Sequence, residues 1–237
     1  MMTVHIESIF MRLIRRLLPF AIVAPPDGSA GAGTDATVAD AANRGAKIIF
    51  VKPGTYGPVA LASVVGAIII GSHNALFDGG TTATAFDIQS GCSRLIIIGC
   101  QFKTTAGGGS NADGMEIDAG TDQITLLGCW FSGSDEHGLV GNTDGTDANH
   151  LILGCRFESM DSYGCSWNSN RARFIGNYYN GTHLTESTGD NTVHVGNHFG
   201  AVTLASGADN SLLVANGHKS TLTDSSTGST VADNESM

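Results

Sequence analysis

The chain is poor in charge, poor in proline and free of long apolar runs. Only 14% of its 237 residues are charged and five are proline. Such sparse charge excludes a bundle of solvated helices, and with 32 glycines it reads as β-structure with many tight turns. No run of about eighteen apolar residues occurs, so no transmembrane helix is expected. Residues 1–52 hold six of the twelve Lys/Arg and four of the 22 Asp/Glu, which leaves six against eighteen over residues 53–237. A body of that sign repels phosphate backbones and excludes nucleic acid as its partner. The five cysteines form no CxxC pair and no Cys/His cluster of zinc spacing, so neither a metal centre nor a cofactor is expected.

What is present is a repeat. "LIIIGCQF" at 95–102 returns as "ITLLGCWF" and "HLILGCRF". Aligned on its glycine, the motif recurs at Gly71, Gly99, Gly128, Gly154, Gly176 and Gly196, and in degraded form at Ala215 and Ala232. The steps shrink toward the C-terminus. A second short apolar segment precedes each motif, so each unit holds two or three strands of four or five residues. That is too short for a four-stranded propeller blade and too β-branched for a helical solenoid. The reading is an all-β, single-stranded parallel β-helix of seven or eight coils, in which identical positions stack about 4.8 Å apart. Cys100, Cys129 and Cys155 then form one unbridged inward column, continued by an amide ladder of Asn177, Asn197 and Asn216. Phe102, Phe131, Phe157, Tyr179 and Phe199 form an aromatic column two residues on.

The front of the body, "VAPPDGS" at 23–29, "TVADAANRG" at 37–45 and "IIFVKPGTYG" at 48–57, resembles the start of the right-handed β-helix superfamily that includes pectin methylesterases, pectate lyases and phage tailspikes. The resemblance spans about residues 21–235, implies the right hand of the coil, and speaks for fold far more than for activity. Residues 1–20 read as a separate segment ahead of a 21–237 β-helix domain. Ile6, Ile9, Phe10, Leu13, Ile14, Leu17 and Leu18 fall on one helical stripe, with Arg12, Arg15 and Arg16 outside it. A helix over 3–18 is expected, as a cap on the coil stack, as an anchor to a partner, or as a membrane-surface helix or leader.

In sugar-acting β-helices, sites lie on the outer face of one stacked sheet or in the loops beside it. Alternation points Phe86, Ile88, Met115, Ile117 and Leu139 inward, and Asp87, Glu116 and Asp118 outward as candidate binding residues. Asp113 precedes one of these strands. Asp135, Glu136 and His137 precede the next, and Asp144 and Asp147 follow it. "NADGMEID" at 111–118 is similar to the "NTDG" element of polygalacturonases, and "SGSDEHG" at 132–138 follows where that family places paired acids. The resemblance implies Asp113, Asp135 and Glu136 as acid/base groups of an inverting hydrolysis, and His137 joins them as a catalytic candidate. The family's Gly-His-Gly and Arg-x-Lys elements have no counterpart here. "NADGMEIDAG" and "NTDGTDAN" offer oxygen ligands without the spacing of a calcium loop.

The expected function is that of a phage virion module, a small tailspike, fibre or decoration protein. It is expected as a homotrimer presenting a β-helix face to surface polysaccharide and touching other virion proteins through residues 3–18. The alternatives are a depolymerase of acidic polysaccharide and a secreted, extracellular glycan-binding adhesin.

Overall fold

The computed structural model describes residues 20–24, 37–105, 112–133, 136–142, 148–158, 163–180, 183–186, 188–219 and 222–236. The expected helix over 3–18 lies outside them. Three parallel sheets of ten, nine and eight strands run the length of the molecule. Each coil contributes one strand to each sheet: in the third coil these are Ile96–Ile98, Gln101–Lys103 and Met115–Ile117. Eight complete coils stack between a lone first strand, Phe20–Val23, and a last pair, Thr230–Ala232 and Glu235–Ser236. The chain is a right-handed parallel β-helix. No helix among the described residues is long and apolar enough to cross a membrane.

The strands alternate, and one face of every sheet closes on a shared core. Inside the first sheet Ile49, Ile69, Ile97, Leu126 and Ile152 follow each other in register, all fully buried. Inside the second, Phe77, Phe102, Phe131, Phe157, Tyr179 and Phe199 stack with ring centroids 4.5 to 5.6 Å apart. Each fully buried ring is worth about 1.5–3 kcal/mol of transfer free energy, and stacked neighbours add to that.

The corner between the first and second sheets explains the repeated motif. Gly99, Gly128, Gly154, Gly176 and Gly196 all hold φ between 57° and 64°, a left-handed corner that glycine adopts without strain. The next residue points inward. Cys100, Cys129 and Cys155 occupy that place unbridged and buried. From Asn177 on the column is a ladder: Asn177 Nδ2 donates to Asn197 Oδ1 at 2.9 Å, and Asn197 Nδ2 to Asn216 Oδ1 at 3.0 Å. Asn234 extends it by one rung, accepting from Asn216 Nδ2 at 3.0 Å.

Two ends of the expected alignment differ. Asn234 follows Asp233, whose φ is 52°, so Asp233 and not Ala232 takes the corner position, and the last step is 18 residues (215 to 233). At the front, Gly71 has no left-handed backbone. There a Cβ would sit 2.7 Å from Cys100 Sγ, so glycine is required by the close approach of the next coil. The short helix is Val38–Asn43, N-capped by Thr37, whose hydroxyl accepts from the Asp40 N–H at 3.0 Å.

Candidate active site

The third sheet carries the acidic face. Its strands Phe86–Ile88, Met115–Ile117, His137–Gly141 and Tyr163–Trp167 bury Phe86, Ile88, Met115, Ile117, Leu139 and Trp167. The alternate positions must then face out. Asp87 pairs in register with Glu116, and the column continues through Val140 and Ser166 to Thr185, Thr203 and Thr223. A second column, Gln89, Asp118, Asn142 and Asn168, is fixed by backbone bonds such as Asp118 N–H to Ile88 C=O at 2.9 Å and Asn142 N–H to Ile117 C=O at 2.9 Å.

Two groups of acids result. Asp87, Glu116 and Asp118 bring oxygens within 4.8 Å of one another. Asn142 Nδ2 donates to Glu116 Oε1 at 2.6 Å, and Gln89 Nε2 to Asp87 Oδ2 at 2.7 Å. Asp87 Oδ1 is buried with no hydrogen-bond partner. Beside this group, at the start of the strands, Asp113, Glu136 and His137 form a second one. Asp113 is 6% exposed, and its Oδ1 accepts both the His137 backbone N–H at 3.0 Å and a contact from His137 Nδ1 at 3.1 Å. Glu136 lies 3.8 Å from the same ring nitrogen, and the ring stacks on Tyr163 with centroids 5.6 Å apart and planes 14° apart.

The electrostatics couple the groups. Burial raises the Glu116 carboxyl above its ordinary range, and the charges of Asp118, Asp113 and Asp87 raise it further against the Asn142 hydrogen bond. Burial and then the charge of Asp87 raise Asp118. Adjacent acids in a partly dry face resist simultaneous ionisation, so a proton is held on the face at a pH where free carboxyls have lost theirs. Among the described residues neither outward column carries a Lys or Arg.

The structure therefore brings together six of the residues singled out in the sequence, Asp87, Glu116 and Asp118 on the face and Asp113, Glu136 and His137 beside it. Asp135, Asp144 and Asp147 lie outside the described residues. The oxygen ligands expected in "NADGMEIDAG" fall in these two groups, and each group brings three ligand atoms within 4.8 Å of one another, close enough to share a hard cation. The acid/base set that the polygalacturonase resemblance implies includes Asp135, which lies outside the described residues. Reading the sequence missed Asn142, Tyr163 and the hydroxyl column Thr185, Thr203 and Thr223, although the threonines recur in "HLTES", "VTLAS" and "LTDSS". A mostly apolar cavity of about 200 Å³ lies elsewhere, between the helix and the first coils, lined by Val38, Tyr56, Pro58, Val59 and Phe77. It offers no carboxylate.

No protein-family model and no curated protein matches the chain. Solved structures do. A pectin methylesterase mutant in complex with a hexasaccharide matches with a TM-score of 0.51 at 12% identity, over 86% of this chain and 80% of that one. The pectin methylesterase of Aspergillus niger gives 0.47 at 12% identity, over 91% and 88%. The carrot enzyme gives 0.44 at 11%, over 91% and 85%. The fold is that of the pectin-lyase-like β-helices. At these identities the likeness is one of architecture.

Proposed function

We propose that the protein binds an extended polysaccharide across the outer face of its third sheet and hydrolyses a glycosidic bond there. The observation that carries this reading is Glu116, a carboxyl raised by burial and by three neighbouring acids on an open face. Glu116 donates its proton to the leaving oxygen as the glycosidic bond breaks, and a water adds to the sugar carbon and returns a proton to the Glu116 carboxylate. The facing carboxylate of Asp87 stabilises the positive charge that develops on the sugar ring. Asp113 and His137 are positioning residues: their bond fixes the strand start, and the Asp113 charge contributes to the state of Glu116.

The column of Ser166, Thr185, Thr203 and Thr223 runs on along the same face at one hydroxyl per coil, a track suited to sugar hydroxyls. Among the described residues neither column carries a cation and at least three acids lie there, which argues for a neutral glycan instead of the acidic one of the depolymerase alternative. The test is affinity electrophoresis and product analysis on a panel of neutral and acidic polysaccharides. Retardation and shortened products with neutral chains support the reading, and a response to acidic chains alone removes it.

A virion module, trimeric and held to other virion proteins through residues 3–18, is the second reading. The observation favouring it is the apolar outer face of the first sheet, which suits a chain packed into an assembly. Co-purification of the full chain with phage particles, lost on deleting residues 1–19, is its test.

A further inference from the structure

The first sheet is apolar on both sides. Its inward positions fill the core. Its outward positions, two on each of ten strands, run from Phe20 and Ile22 to Thr230 and Ala232. Between these ends only Thr125 and Arg173 interrupt a face of Ile, Leu, Val and Phe. Ile48, Phe50 and Leu153 are 37%, 44% and 38% exposed. The other sheets differ. The second shows a column of Asp78, Lys103, Ser132, Glu158 and Asn180, and the third shows the acids described above.

We infer that copies of this chain pack against one another through the outer face of the first sheet, with their coil axes side by side. Three observations select a second copy as the occupant. The first is length. Nine coil steps of about 4.8 Å make a flat stripe roughly 43 Å long, and another β-helix repeats its side chains at the same pitch. The second is charge. The chain carries a net charge of −10, so self-association needs a surface free of acids, and among the described residues this face has none. The third is area. Twenty outward side chains offer on the order of 800 Å², what each partner buries in an interface of standard size. Arg12, Arg15 and Arg16 would find no acid on this face among the described residues.

Sedimentation of the full chain at micromolar concentration tests this. The expected mass is two or three times 24.4 kDa. The pair Ile98→Asp and Leu153→Asp, placed mid-stripe and facing out, is expected to weaken association at least a hundredfold and leave monomer. Ser132→Asp on the second sheet is expected to change nothing. Should the double aspartate variant fail to fold, Ile98→Thr with Leu153→Thr keeps strand-compatible side chains and is expected to weaken association while retaining a cooperative melt. A monomeric wild type overturns the inference, whatever then covers the face. So does an oligomer that both folded double variants leave intact.

Discussion

Asp113 and His137 are tied twice, the histidine's backbone N–H and its ring nitrogen both meeting one carboxylate oxygen, at 3.0 and 3.1 Å. The pair joins two coils at the edge of the acidic face, and Asp113 is also one of the charges acting on Glu116. Asp113→Asn keeps an acceptor for the His137 N–H and removes the charge. Less repulsion means that Glu116 loses its proton at lower pH, so the limb of the pH–rate profile set by Glu116 moves to lower pH. Asp113→Ala also removes the acceptor and costs about 2 kcal/mol of stability. Carbon-detected titration of Glu116 in both variants checks this. An unchanged Glu116 contradicts it.

The amide ladder predicts a large local cost. Asn197 is 2% exposed, accepts from the N–H and Nδ2 of Asn177, and donates to Phe174 C=O and Asn216 Oδ1. Asn197→Ala orphans several buried partners at once and is expected to cost about 3 kcal/mol in chemical denaturation. Asn234→Ala, at the part-buried last rung, is expected to cost less than half of that.

The cysteine column predicts chemical inertness. Burial pushes the thiols of Cys100 and Cys155 well up, and thiolate is the reactive form. None of the five cysteines is in a disulfide, and all are buried. A thiol reagent is expected to modify none of them in the native protein and all five in denaturant. Rapid native reaction at the three stacked positions would mean that the column is open.

His150 predicts acid sensitivity. It is 1% exposed, its Nδ1 accepts the Ile124 N–H at 3.1 Å, and burial pushes its pKa from 6.5 down to about 4. The unfolded chain takes up this proton before the folded one does. Stability is therefore complete above pH 6.5 and falls by about 3 kcal/mol as pH drops toward 4. Melting temperatures over that window check it, and His150→Gln is expected to flatten the slope.

Much of this architecture is legible in the residues. A glycine followed by a small or amide side chain recurs because the corner needs a left-handed residue and the next position points inward. The reading slips where another residue takes the corner. Asn74, with φ 66°, supplies a left-handed residue three positions after Gly71, and Asp233 tolerates what glycine does elsewhere. On the acidic face, Asp87, Glu116 and Asp118 follow from alternation alone. Asn142 and Tyr163 do not, because their contacts join coils across 26 residues each, and which residues meet depends on loop length.

In the proposed reaction Glu116 delivers a proton to a glycosidic oxygen. Reducing-end release from neutral polysaccharides, measured for wild type and Glu116→Gln, tests it most directly. The amide cannot donate that proton, so the rate is expected to fall at least a thousandfold. Removing a carboxyl whose ionisation the fold opposes should raise the melting temperature by about 2 °C. A Glu116→Gln protein that is equally stable and releases reducing ends as fast as wild type would rule Glu116 out as the proton donor.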